Sequence, residues 1–340
     1  MAIATNPVDA ARFLYSHACA TLTLRCPRVG IETKGLTRKF GNLTAVDGLT
    51  LTVNDGEVFG FLGPNGAGKT TTVRMLCCLI SKTSGEARIG DYEIGRSEDA
   101  LKIRRLIGFV PDNVGLYEDL SAYDNLDFYG KLYDCTETQR KENIQRFLTM
   151  LGLWEKRDVM AGTFSKGMKQ KLAIARSLVH EPKLLFMDEP TANLDPESAK
   201  TVRDFILELK KEKRTIFLNT HNLDEAQRIC DRIGILSTKL IATGTPQELE
   251  MALSSGGGSR KTIVLLQEQA TDALVAGLRR LSGNVTTEGN KLTIELKDPE
   301  KENAAVIEAI AKGGGHIESV TIVGASLEDV YLKLVREGES

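Results

Sequence analysis

The chain has 340 residues, enough for one large domain and a smaller one, and 41% of them are hydrophobic, as substantial cores require. Its 44 lysines and arginines nearly cancel 46 aspartates and glutamates, leaving a formal charge of −2, so no global field recruits nucleic acid or an anionic membrane. No segment holds the ~18 or more consecutive apolar residues of a membrane-spanning helix, and six cysteines (19, 26, 77, 78, 135 and 230) show neither Cys-x-x-Cys spacing nor a secreted framework, as expected of reduced thiols in a cytosolic protein.

Residues 1–30 contain Arg12, Arg25 and Arg28, one acid (Asp9) and no sustained apolar core. An organelle transit peptide has that flavour, but the simpler expectation is a disordered extension. Structure is expected from Ile31, with short strands at 31–35 and 49–53 around the turn-forming Phe40-Gly41-Asn42. Val58-Phe59-Gly60-Phe61-Leu62 reads as a buried parallel strand. It enters Gly63-Pro64-Asn65-Gly66-Ala67-Gly68-Lys69-Thr70-Thr71, which holds the full G-x-x-x-x-G-K-[ST] loop in Gly63, Gly68, Lys69 and Thr70. Glycines let the backbone fold round an anion so that successive N–H groups point at phosphate oxygens. The helix that follows, through Thr72-Val73-Arg74-Met75-Leu76, adds the positive end of its dipole. Lys69 has the reach for the β- and γ-phosphates, and the Thr70 hydroxyl suits Mg²⁺. The strand–loop–helix context outweighs an accidental glycine-rich turn. The chain binds a nucleoside triphosphate.

A strand pair is expected at 85–94 and a strand at 105–110. From about 121 to 179 the pattern turns helical, with Leu126, Phe128, Leu132, Ile144, Phe147, Leu148 and Leu151 spaced for amphipathic faces. Apolar runs at 184–187 and 215–218, bounded by charge, read as central parallel strands with a helix at 196–213 between them. A Gly/Ser stretch at 254–260 reads as a flexible linker. Beyond it come strand (261–267), helix (271–281), strand (285–287), strand (291–296), helix (302–311) and strand (317–323). That β-α-β-β-α-β order is the split unit of ferredoxin-like domains. A final helix is expected at 327–335.

Two later segments narrow the chemistry. The strand 184–187 ends in Asp188-Glu189-Pro190 and aims Asp188 at the phosphate site; alone such a pair would be a solvated strand end, but with the phosphate loop upstream the functional reading prevails. Asp188 suits Mg²⁺, held through water, and Glu189 suits a general base for an attacking water. Upstream, Phe164-Ser165-Lys166-Gly167-Met168-Lys169-Gln170 opens a helix that Ser165 caps, with Met168, Leu172, Ala175 and Val179 at helical spacing. In this order the segment resembles the signature of ATP-binding cassette (ABC) proteins, commonly Leu-Ser-Gly-Gly-Gln. Ser165, Gly167 and Gln170 match. Phe164 stands for leucine, Lys166 for the first glycine, and Met168-Lys169 fill the positions before Gln170, departures frequent in the drug, antibiotic and sodium exporter branch.

The resemblance extends over residues 31–250 and implies further roles. Phe40 matches the aromatic that stacks on adenine. Asp195 matches the loop that contacts the opposite subunit, and His221 the switch histidine that touches the γ-phosphate and orients Glu189. Asp112 stands where most of the family has glutamine and the exporter branch often glutamate; it keeps oxygen ligands for Mg²⁺ or water on a shorter side chain. The implied fold is α/β: a phosphate-loop ABC ATPase core over 31–253, with a helical subdomain near 113–180, a linker at 254–260 and a small α+β, ferredoxin-like accessory domain over 261–340. The implied function is the ATP-binding subunit of an ABC transporter, hydrolysing ATP with Mg²⁺ to drive export, and peripheral at the cytoplasmic membrane face. It would pack head-to-tail as a homodimer or heterodimer, drive a separately encoded integral membrane permease, and need no nucleic acid. A soluble ABC ATPase of ribosomes or nucleic acid is the alternative; a single cassette without a basic arm argues against it.

Overall fold

The computed structural model describes residues 30–255, 260–282, 284–296, 299–323 and 327–338. The N-terminal extension expected at 1–30, apart from Gly30, and residues 256–259 of the expected linker lie outside them.

β1 (Ile31–Phe40) and β2 (Leu43–Val53) form an antiparallel hairpin about Gly41-Asn42. Both strands run further toward the turn than the short runs expected from sequence. Register shifts between Thr33 and Lys39 interrupt the strict alternation by which a strand is read. β3 (Val58–Leu62), buried throughout, leads into the phosphate loop and α1 (Lys69–Leu76). β4 (Ser84–Ile89) and β5 (Tyr92–Glu93) return beside β1, giving the sheet order β2-β1-β4-β5. α2 (Ser97–Leu106) follows, so Arg105 and Leu106, expected in a strand, end a helix instead, and β6 spans only Ile107–Val110. Just Asp99 and Ile103 of α2 are buried, too few to mark a helical period in the sequence.

The helical segment comprises α3 (Ala122–Leu132), α4 (Glu137–Met150) and α5 (Lys166–Leu178). Ser121 and Ser165 cap the first and third, and Thr136 with Gln139 forms a capping box on the second. Leu126, Ile144, Phe147, Leu148 and Leu151 are buried as expected, but Phe128 and Leu132 remain 38% and 61% exposed. α3 packs through Ala122, Asn125, Leu126 and Gly130, and Gly130 admits Arg140 so closely that a Cβ would lie 2.7 Å from its Cδ.

β7 (Leu184–Asp188), α6 (Pro196–Lys211), β8 (Thr215–Asn219), α7 (Leu223–Ile229), β9 (Arg232–Ser237), β10 (Lys239–Gly244) and α8 (Pro246–Ser255) follow. The six-stranded sheet runs β10-β9-β3-β8-β7-β6, parallel except at β10. Its strands alternate between two cores. Phe59, Phe61, Phe186 and Phe217 meet on the face toward the antiparallel sheet, with ring centroids 5.2–5.6 Å from Phe217. Val58, Leu185, Met187, Ile216 and Leu218 face the helical side. The register of β3, β8 and β7 brings their ends side by side, where the phosphate loop leaves β3.

The chain continues through β11 (Arg260–Leu266), α9 (Asp272–Leu281), β12 (Val285–Glu288), β13 (Lys291–Leu296), α10 (Pro299–Lys312) and β14 (Ile317–Val323). The expected β-α-β-β-α-β order closes an antiparallel sheet, β12-β13-β11-β14, over its own core of Val264, Leu278, Leu292, Ile294 and Ile310. α11 (Leu327–Gly338) departs from that unit. Its Leu327 and Val330 are buried in the large core with Ala226, Ile229, Ile233, Ile235 and Leu249.

Candidate functional site

Gly68 precedes α1 with φ 95°, in the left-handed region, and a Cβ there would lie 2.1 Å from the Ala45 carbonyl oxygen. Only glycine fits. α1 has no side-chain cap and no acid in its first turn. Its first N–H groups therefore keep their capacity for an anion. Lys69 is 7% exposed and donates to the carbonyls of Gly63 (2.7 Å) and Pro64 (3.1 Å). Burial lowers its pKa, and the negative charges of Glu189 and Asp188 oppose that.

Thr70 Oγ1 donates to Asp188 Oδ2 (3.0 Å), while Asn219 Nδ2 donates to Asp188 Oδ1. Burial raises the Asp188 pKa, helped by the charge of Asp112; the two hydrogen bonds and Lys69 pull it down. A hydroxyl and a carboxylate thus stand together below the loop. Among the described residues no three His, Cys, Asp or Glu form a metal cage. The donor set suits a small hard cation that keeps water and phosphate oxygens as its other ligands.

Glu189 follows with φ 50°, an uncommon conformation for a residue with a side chain. Its N–H is held by the Asn219 carbonyl (2.8 Å), and its Oε1 lies 2.8 Å from His221 Nδ1. The histidine itself is exposed.

A cleft of about 720 Å³ joins the phosphate loop to Asp188, Glu189 and Asn219, while His221, bonded to Glu189, is not among its walls. Its walls include Phe40, Asn65, Gly66, Ala67, Gly68, Lys69, Thr70, Thr71, Asp112, Asp188 and Glu189. The volume lies within the roughly 300–1,000 Å³ of small-molecule sites. The Arg38 guanidinium sits 4.4 Å from the centroid of the Phe40 ring, which is half exposed. Gly63 and Pro64 contribute the carbonyls that hold Lys69.

Ser165, Gly167 and Asp195 are not among the cleft's walls. Ser165 is exposed and caps α5, its Oγ accepting from Met168 N (3.3 Å). Gly167 packs so closely on α6 that a Cβ would lie 2.4 Å from Ser198 Oγ. Asp195 caps α6 by accepting from Ser198 N (2.8 Å), and that bond lowers its pKa. Sequence reading did not assign Asn219 to the site. It pairs with Asp188 in register, and a polar residue ending an apolar strand beside another such strand was the available signal. Arg74, Phe109 and Asn113 also line the cleft, with no sequence signal to mark them.

A parallel sheet feeding a phosphate loop, with Asp188 and Glu189 at the end of the neighbouring strand but one, defines a phosphate-loop nucleoside triphosphatase. The family model described as ABC transporter matches residues 46–192. The chain is 33% identical over 310 residues to the linearmycin resistance ATP-binding protein of Bacillus subtilis, covering 89% of this chain and 97% of that one. It is 34% identical over 313 residues to the daunorubicin/doxorubicin resistance ATP-binding protein of Streptomyces peucetius (91% and 93% covered). It is also 34% identical over 324 residues to the bacitracin transport ATP-binding protein of Bacillus licheniformis (91% and 98%). Among solved structures, an ATP-binding subunit of an ABC transporter superposes with TM-score 0.61 at 29% identity, over 66% of this chain and 92% of that one. A dimeric ATP-binding cassette bound to ADP and Pi gives TM-score 0.58 at 25% identity (63% and 98%). This chain belongs to the ABC transporter family, as an ATP-binding, ATP-hydrolysing subunit.

Proposed function

We propose that the chain powers export through a separately encoded membrane permease, working at the cytoplasmic face of the membrane as a head-to-tail dimer of ATPase subunits. The observation that carries this reading is the make-up of the cleft: it gathers Phe40, the phosphate loop, Asp112, Asp188 and Glu189, to which His221 is bonded, and leaves Ser165, Gly167 and Asp195 outside, the first and last bonded to their own helix starts. A second cassette, identical or not, would bring those three residues to the open side of the bound triphosphate. Relatives named for resistance and for bacitracin transport support export. Among the described residues no helix is long and apolar enough to cross a membrane, so the path would come from another chain. Exposed Leu79, Tyr117, Phe128 and Leu132 offer apolar contact between the segment after Asp112 and the helical subdomain.

In this reading Phe40 stacks on adenine, the backbone N–H groups of residues 65–71 and Lys69 hold the phosphates, and Thr70, Asp188 and Asp112 face the magnesium site. Bound Mg²⁺ supplies charge neutralisation to the phosphate oxygens. Glu189 takes a proton from the attacking water as its oxygen bonds to the γ-phosphorus. The bond from that phosphorus to the bridging oxygen breaks, and the electron pair leaves with ADP. His221 holds Glu189 in place and contacts the γ-phosphate.

Glu189→Gln tests the assignment. Binding of a labelled ATP analogue should persist while hydrolysis drops by roughly 10²–10⁴, the usual worth of a positioned base. The arrested protein should elute from a sizing column as an ATP-dependent dimer. A monomer that still binds ATP under those conditions counts against the shared site.

A further inference from the structure

Outside the cleft, one carboxylate joins the two segments that carry Glu189 and His221. Glu225, in the first turn of α7, is 2% exposed. Its Oε2 accepts hydrogen bonds from Thr191 Oγ1 (2.8 Å) and Thr220 Oγ1 (3.2 Å). Thr191 lies two residues beyond Glu189, on the way to Asp195; Thr220 immediately precedes His221. Thr220 Oγ1 also accepts the Asn222 N–H (3.0 Å), and Asn222 Oδ1 accepts the Glu225 N–H (3.0 Å). Since His221 Nδ1 lies 2.8 Å from Glu189 Oε1, the circuit closes from Glu189 through Thr191, Glu225, Thr220 and His221 back to Glu189.

A buried acid is an expensive way to fill this position. Its Oε1 has no hydrogen-bond partner among the described residues, and burial pushes its pKa up against the two hydroxyl donors. Its neighbours Ala226 and Ile229 pack into the large apolar core, where a hydrocarbon side chain would serve packing better. The left-handed backbone at Glu189 is a second cost, and such a conformation persists only where its surroundings over-determine it. The tie from Thr191 to Glu225 is one of those constraints; the Glu189 N–H on the Asn219 carbonyl is another.

We propose that Glu225 is a positioning residue for hydrolysis: by holding the hydroxyls of Thr191 and Thr220 on one oxygen, it sets the spacing of Glu189 and His221. It is not among the cleft's walls and acts through the other two. The inference rests on the roles given above to Glu189 and His221, and it extends the catalytic unit to the segment leading to Asp195.

The test is steady-state ATPase kinetics of the full chain carrying Glu225→Ala, Glu225→Gln, His221→Ala and the Glu225→Ala/His221→Ala pair, with ATP binding and melting temperature measured alongside. Glu225→Ala should lower kcat roughly 10- to 100-fold, the scale expected of a small misplacement of reacting groups, and leave KM and ATP affinity within about twofold. Glu225→Gln should recover most of the rate, because its amide oxygen accepts both hydroxyls. The double variant should be no slower than His221→Ala alone. Wild-type kcat in Glu225→Ala, a change confined to KM, or multiplicative losses in the double variant would overturn the proposal. If Glu225→Ala does not fold, Thr191→Val and Thr220→Val remove the same two bonds one at a time, and full activity in both is equally decisive against it. Glu189→Gln separates the levels: full activity there sinks the base assignment itself, whereas an inactive Glu189→Gln beside a fully active Glu225→Ala sinks the positioning role alone.

Discussion

His180 is placed where it holds one proton and resists a second. Its Nε2 lies 3.0 Å from the Ile107 carbonyl, which can only accept, so Nε2 carries the hydrogen. Nδ1 is buried without a partner among the described residues, and the ring stacks on Tyr133 with centroids 3.7 Å apart. Burial drives its pKa from 6.5 down to about 4. The folded value lies below the unfolded one, so this contribution is fully present above pH 6.5 and is lost as pH falls toward about 4. The gap bounds the loss at about 3 kcal/mol. His180→Gln, which keeps a donor for Ile107, should flatten the fall of urea midpoint between pH 7 and 4; an acid limb as steep as wild type would assign that fall to other groups. Nothing local in the sequence marks this histidine. The loop from Gly63 to Thr71 is legible at this scale because nine consecutive residues build its own geometry. Asn219 and Glu225 gain their meaning from partners 31 and 34 positions upstream, Asp188 and Thr191.

Among the elements, α11 shows how a helix can be readable while its destination is not. Leu327, Val330, Tyr331 and Leu334 recur at helical spacing, which marks an apolar face. That face packs on the large core rather than on the accessory sheet that precedes it. Deleting residues 327–340 should therefore lower the melting temperature of the chain yet preserve ATP binding, because every residue of the cleft precedes it. Leu327→Ala alone should cost about 2–5 kcal/mol, the usual range for a buried leucine. Unchanged melting after the deletion would mean that the contact carries no stability. α2 is the opposite case: a charged, shallowly packed helix leaves too few buried positions for any period to show. Phe128 and Leu132 have the spacing of a core face but stay exposed, because α3 turns its Ala122, Asn125, Leu126 and Gly130 face to its neighbours.

At the scale of the whole molecule, the separation of Ser165 and Gly167 from the cleft makes a quantitative demand on a dimer. In the proposed dimer Ser165→Arg damages the signature face, together with the α5 cap, and Lys69→Ala the phosphate loop, so both variants are first checked for folding. Each variant alone should be inactive. In a head-to-tail heterodimer both defects fall on one composite site and the other is wild type, so mixing should restore part of the ATPase activity once exchange is shown. No recovery after demonstrated exchange would point to a site completed within one chain, or to two sites that must fire together.

The sequence by itself determined the motifs whose parts are contiguous: the phosphate loop, the Asp188-Glu189 strand end and the capped segment at Ser165 each carry their pattern within about nine residues, so local backbone geometry suffices to read them. It also determined the order of the accessory strands and helices, since alternation and helical period are local signals. Only the tertiary structure decided what lies between segments: that β3, β8 and β7 end side by side and so bring Asn219 onto Asp188, that Glu225 bridges Thr191 and Thr220, and that α11 returns to the large core. The physical reason is common to all three. A hydroxyl, an amide or an apolar stripe is satisfied by any suitable partner, and which partner it meets is fixed by strand order and packing, not by its neighbours in the chain.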